Sequence, residues 1–193
     1  VLENVPVTAY AAEGKALARV DGKVIFIEGG VVPGDVVDVK LGKNKKDWAE
    51  GKAIRIHSLS PDRTEPFCQH FGLCGGCKWQ MLPYEKQLAY KQQQVEDHLR
   101  RIGHLELPSM PPILGAKETR RYRNKLEFTF SNKAYLTDEE IRAAGEEWPR
   151  RNALGFHIPK LFDKVLDIQT CHLQEAPANL INCGGWSKTS PYT

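Results

Sequence analysis

Three of the chain's five cysteines crowd into the stretch "CQHFGLCGGC". Cys68, Cys74 and Cys77 are spaced C-x5-C-x2-C, and Cys171 closes the later segment "VLDIQTC". Four thiolates suffice for a closed metal site, and thiolates favour tetrahedral zinc or an iron–sulfur cluster. Gly72, Gly75 and Gly76 suit a loop that must wrap several sulfurs, because glycine admits positive φ and close backbone approach. Structural zinc sites usually show paired C-x2-C hooks, and only one hook is present, which tilts the expectation towards a cluster. Inert packing of buried cysteines is disfavoured, because three in ten residues beside three glycines is a poor pattern for a core. Disulfides are disfavoured, since nothing marks the chain as secreted. His70 lies inside the loop, yet four cysteines already fill a site. Cys183 is expected to be a free thiol.

A second chemistry is suggested by "KETRRYRNK", which sets Lys117, Arg120, Arg121, Arg123 and Lys125 around Tyr122. Arginine can grip a phosphate with two parallel hydrogen bonds and tyrosine can stack on an unpaired base, a composition that suits folded single-stranded RNA. Lys40, Lys43, Lys45, Lys46 and Lys52 form another concentration of charge nearer the amino terminus. The bland alternative for both is a solvated face. Whole-chain charge does not decide, because 27 basic residues stand against 24 acidic ones for a net +3. Trp79, Phe67 and Phe71 flank the cysteine loop and read as packing that keeps water off the sulfurs.

The elements that must position these groups differ along the chain. In the first sixty residues "LARV" and "KVIFIEG" flank Asp21-Gly22, a tight-hairpin dipeptide, and "GDVVDVKLG" follows the Pro33-Gly34 turn signal. "GKAIRIHSLS" then returns after the lysine-rich loop, giving about five short strands, enough for a small OB-like barrel. From Pro83 to Arg101 the apolar spacing turns helical, with Tyr84, Leu88, Val95, Leu99 and Ile102 as a packing stripe and Gly103 as its stop. "RYRNKLEFTFS" alternates Leu126, Phe128 and Phe130 as a strand. Thr137 to Glu140 has the form of a capping box opening a helix to about Glu147. "ALGFHIPKLFDKVLDIQTC" reads as two pairing segments with a break at "HIPK". The start "VLENVPVTAY" lacks the pattern of a signal peptide, and no apolar run is long enough to span a membrane, so a cytoplasmic protein is the expectation.

These stretches together carry a family resemblance. "GVVPGDVVDVKL", "CQHFGLCGGCKWQMLPYEKQLAYKQQQV", "RYRNKLEF" and "LGFHIPKLFDKVLDIQTCHLQ" resemble the amino-terminal half of bacterial RNA uracil-5-methyltransferases that act on 23S ribosomal RNA. The resemblance implies an all-β OB-like barrel of the TRAM type over residues 1–60. It implies next, over 61–181, an α+β domain with a small, mostly antiparallel sheet, the helix 83–102 and a cysteine-ligated [4Fe-4S] cluster. Cys68, Cys74, Cys77 and Cys171 would be the cluster's ligands. RNA, in the first place 23S rRNA, is the implied partner, with Lys43, Lys45, Lys46, Arg120, Arg121, Tyr122, Arg123 and Lys125 as candidate contacts. No membrane and no obligate protein partner are implied.

The family continues into a Rossmann-like domain that binds S-adenosylmethionine, and no glycine-rich cofactor loop, catalytic base or nucleophile of that domain is found in these residues. The tail "NCGGWSKTSPYT", 182–193, departs from the family pattern, so Cys183 is not read as a nucleophile. The chain is therefore expected to be a fragment, inactive alone, of an enzyme forming 5-methyluridine. A non-catalytic RNA-binding module with structural zinc or a cluster is the alternative, and a transfer-RNA uracil-5-methyltransferase a further one. A radical S-adenosylmethionine methylthiotransferase would instead show C-x3-C-x2-C.

Overall fold

A computed structural model of the chain describes residues 1–145, 152–159 and 161–183. It divides into two compact units, Val1–Phe67 with Lys78–Gly115, and Cys68–Cys77 with Ala116–Thr193. The cysteine loop therefore belongs to the second unit, while the segments on either side of it in sequence belong to the first.

The first unit is built on strands β1 (Leu2–Pro6), β2 (Ala9–Tyr10), β3 (Ala16–Val20), β4 (Lys23–Glu28), β5 (Val36–Asn44) and β6 (Trp48–Ser58). Their order in the sheet is β1-β5-β6-β4-β3-β2. The two outermost strands are consecutive in sequence. Val7 donates its N–H to the Asp35 carbonyl and Thr8 donates to the Leu17 carbonyl, so one kinked strand joins both edges. Alternation supplies the interior: Ala16 and Ala18, Ile25 and Ile27, Val37 and Val39 all turn inward with Val5, Val7, Val31 and Ala49. Asp21 and Gly22 both adopt positive φ, as the tight turn between β3 and β4 requires.

The expected fold class is corrected in two respects. The sheet is mixed, because β6 runs antiparallel to β5 but parallel to β4, with Val24 opposite Trp48 and Phe26 opposite Glu50. Hairpin signals report only neighbours in sequence and carry no trace of the β4–β6 pairing. The second correction removes the cysteine-ligated cluster. Among the described residues no group of three or more Cys, His, Asp or Glu side chains stands where it could hold a metal ion.

Helix α1 (Tyr84–Asp97) starts after Pro83 and runs into a π turn over His98–Ile102 before Gly103. It belongs to the first unit, where Tyr90 meets Tyr10 edge-on at 5.0 Å between ring centroids and Tyr10 meets Trp79 at 4.7 Å. The expected apolar stripe is only partly used, since Val95 and Ile102 are exposed.

The second unit carries a three-stranded antiparallel sheet, β7 (Thr129–Ser131), β8 (Ala153–Ile158) and β9 (Leu161–Asp167), in that order. Two short helices, α2 (Asp138–Ala144) and α3 (Ala176–Cys183), complete it. The strand expected from Arg121 onward begins only at Thr129, and Phe130 is 70% exposed. Phe128 does pack, with its ring 4.7 Å from Phe156. Thr137 opens α2 with a complete capping box: Glu140 N–H donates to the Thr137 hydroxyl and Thr137 N–H to the Glu140 carboxylate. The helix ends before Gly145, and Glu147 lies outside the described residues.

Candidate functional site

The cysteine loop is a compact turn locked to the rest of the second unit. Phe71 N–H donates to the Cys68 carbonyl, and the Leu73 and Cys74 N–H groups donate to the His70 carbonyl. Gly72 and Gly75 take positive φ, and a Cβ at Gly75 would lie 2.5 Å from Pro159 Cγ at the end of β8. The buried His70 ring accepts the Gln169 N–H at 3.0 Å through Nε2. Burial presses the His70 pKa below its ordinary value; Asp167 opposes this and His172 reinforces it. On the other side Asn179, in α3, brackets Cys171: its Oδ1 accepts the Cys171 N–H at 2.8 Å and its Nδ2 donates to the Cys171 carbonyl at 3.0 Å.

Cys68, Cys74, Cys77 and Cys171 are all half-buried thiols. They are close enough to influence one another, since Cys74 is affected by Cys77, Cys68 and Cys171, and Cys171 by Cys77 and Cys68. Burial pushes the Cys74 thiol up against the Gly76 N–H, which donates to its Sγ at 3.4 Å, and burial likewise raises Cys171. Cys74 and Cys171 pack on Ile158, Leu166 and Ile168, an apolar use of cysteine that the spacing argued against. Among the described residues the four cysteines do not form a group that could hold a metal ion.

Directly after Cys171, the chain holds the basic segment by its backbone. Arg121 N–H donates to the His172 carbonyl at 2.9 Å and Arg123 N–H to the Leu173 carbonyl at 2.8 Å. Arg121 takes a positive φ of 56° there. Residues 120–125 are all exposed, with Tyr122 at 55%. Lys125 forms a well-solvated ion pair with Glu127 at 3.0 Å, of a kind that contributes little to stability. The backbone of this segment is thus anchored while its basic side chains are exposed.

On the barrel, Lys43, Lys45 and Lys46 occupy the exposed tip of the β5–β6 hairpin, closed by Lys45 N–H donating to the Trp48 carbonyl at 2.8 Å. Two neighbours escape a reading of the sequence. The Lys43 ammonium stands 5.0 Å from the Trp48 ring centroid, and the Phe26 ring meets Trp48 edge-on at 6.2 Å. Trp48 ends the lysine run "GKNKKDW", a signal that could have pointed to it. Phe26 has no such signal, because the β4–β6 pairing alone brings it there.

Comparison with known proteins agrees with the architecture. Residues 3–54 match the TRAM domain family. A Bacteroides thetaiotaomicron protein named as an uncharacterized RNA methyltransferase is 58% identical over 171 residues, covering 89% of this chain and 37% of the relative. A Methylococcus capsulatus protein named 23S rRNA (uracil(1939)-C(5))-methyltransferase RlmD is 39% identical over 121 residues, covering 62% of this chain and 27% of its own length. The crystal structure of the Pyrococcus abyssi tRNA (uracil-54, C5)-methyltransferase in complex with S-adenosyl-L-homocysteine superposes with a TM-score of 0.50 at 20% identity. That match covers 92% of this chain and 34% of the archaeal one, a likeness of fold. The chain spans about a third of the length of the relatives it matches over most of its own. It is a TRAM-containing homologue of the N-terminal part of proteins named RNA methyltransferases, a 23S rRNA uracil-C5-methyltransferase among them.

Proposed function

We propose that this chain is the RNA-engaging part of an S-adenosylmethionine-dependent methyltransferase that forms 5-methyluridine in 23S rRNA. The observation that carries the reading is the strip Arg120–Lys125, whose backbone is fixed by the 172–173 carbonyls while its side chains face solvent around Tyr122. Such a strip can bind phosphates without ordering a loop at the moment of binding, which removes an entropic cost of association. The exposed lysines at the hairpin tip of the barrel supply a second set of phosphate contacts. S-adenosylmethionine would supply the methyl group when bound by the whole enzyme, and these residues contain no motif that would hold it. The role of this chain's own residues is to grip and orient the RNA. Unpairing a target base costs a few kcal/mol, which contacts of this kind help to offset.

A cytoplasmic setting accompanies this reading. Among the described residues no helix is long and apolar enough to cross a membrane.

The test is equilibrium binding of a fluorescently labelled 23S rRNA hairpin to this chain across a salt series. Affinity should fall steeply with salt, and the triple variant Arg120→Ala, Arg121→Ala, Arg123→Ala should flatten the slope by about one for each phosphate no longer neutralised. Wild-type binding indistinguishable from that of the triple variant would overturn the assignment of the strip.

A further inference from the structure

We infer that the Trp48–Phe26 pair, with Lys43 over it, is a stacking site for one unpaired nucleobase of a single-stranded RNA. This deepens the RNA-binding reading above and rests on it. Three observations converge on the outer face of the barrel. First, Trp48 and Phe26 are only half-buried although both are large and apolar, and their rings meet edge-on, an arrangement that leaves ring faces available. Second, Lys43 lies over the indole as a cation on a π face, a contact that an incoming base can replace, since every base offers a π face of its own. Third, the surroundings are cationic. Lys23 reaches the same hairpin tip, donating to Asn44 Oδ1 at 2.9 Å, and Lys45 and Lys46 follow in the loop. Glu50, opposite Phe26, is already paired with Lys15 at 3.0 Å, and Asp47 beside the lysines leaves the tip net positive.

The face thus attracts phosphate and presents one aromatic platform. The occupant it fits is a base stacked on Trp48 with its flanking phosphates held by Lys43, Lys45 and Lys46. In the unliganded state Lys43 covers the indole. On binding, the base takes that face and the displaced ammonium becomes a phosphate contact. One short motion of a long side chain therefore serves both interactions. A double helix does not fit this description, because its bases are stacked on one another and unavailable.

The experiment compares two probes on this chain: labelled oligouridylate, and a strand of the same phosphate number in which abasic residues replace the nucleosides. Trp48→Ala should weaken oligouridylate about tenfold and leave the abasic strand unaffected, while Trp48→Phe retains most of the affinity. Lys43→Met should weaken both probes and lower the salt slope by about one. If Trp48→Ala binds oligouridylate as well as wild type, or loses equal affinity for both strands, the stacking site is wrong. If the wild-type chain binds neither probe nor the rRNA hairpin, the RNA-binding reading falls with it. Trp48→Phe guards against misfolding of the alanine variant, since it keeps an aromatic ring packed on Phe26.

Discussion

Arg63 holds Asp35 with two parallel hydrogen bonds, Nε to Oδ1 at 2.9 Å and Nη2 to Oδ2 at 2.6 Å, and the carboxylate is fully buried. Asp35 also accepts the N–H groups of Val32 and Ser60, and Arg63 donates to the Gly30 carbonyl. The pair therefore ties the β4–β5 connection to the segment that leaves the barrel. Neither residue belongs to the proposed RNA contacts. Their role is to fix where the barrel ends.

The pair makes a prediction with a definite sign. Burial alone would raise the Asp35 pKa, but the Arg63 guanidinium and the Ser60 and Val32 N–H groups more than reverse it, so the carboxyl sits below its ordinary value. A depressed folded-state pKa contributes stability that is complete above the unfolded value of about 3.9 and is lost as pH falls through the folded value. Asp35→Ala should cost about 3 kcal/mol at neutral pH, since it removes the carboxylate that balances the mostly buried Arg63 charge and the acceptor of the Val32 and Ser60 N–H groups. Urea unfolding followed between about pH 7 and pH 2 checks both statements. The variant should lose the part of the acid sensitivity that lies below about pH 4. An unchanged acid profile would show that Asp35 is not responsible for it.

Much of this architecture is legible in the sequence wherever the governing contact is local. Asp21-Gly22, the Thr137–Glu140 box and the break at "HIPK" each report geometry within a few residues, and the structure places a turn, a helix start and the β8–β9 connection there. The misses are non-local. Nothing near Phe26 announces that β6 will lie parallel to β4, and nothing near Val95 says that it will stay exposed. The strand expected at Leu126 fails for a related reason. Arg121 and Arg123 commit their N–H groups to the 172–173 carbonyls, a segment about fifty residues away in the chain, so regular pairing starts only at Thr129. The cysteines illustrate the limit most clearly: spacing brings them into one loop, but among the described residues they do not form a group that could hold a metal, and Cys74 and Cys171 pack on Ile158, Leu166 and Ile168 instead.

Gly75 is the position where the loop's backbone is least replaceable. Its φ of 68° already disfavours an L side chain by about 1–2 kcal/mol, and a Cβ would come 2.5 Å from Pro159. Gly75→Ala should therefore loosen the loop from the β8–β9 turn, detected as faster hydrogen exchange at the Cys74 and Gln169 amides. Gly72→Ala is the control, because it shares a positive φ, of 87°, with open space around it and should show the backbone penalty alone. Equal effects of the two substitutions would remove Pro159 from the explanation.

His70 gives the second unit its own pH dependence. The ring can accept the Gln169 N–H only with Nε2 unprotonated, and burial, aided by His172 and opposed by Asp167, lowers its pKa. In the unfolded chain the same imidazole titrates near its ordinary value of about 6.5. The neutral ring therefore contributes stability that is complete above that value and is lost as pH falls through the lower, folded one. As pH falls below about 6.5 the Gln169 amide should lose protection faster than amides of the barrel, which do not depend on this ring. His70→Gln should abolish that difference, since glutamine offers a side-chain acceptor but does not titrate in this range. Retention of the pH-dependent exchange in the glutamine variant would assign it to another group, with His172 the first to be substituted.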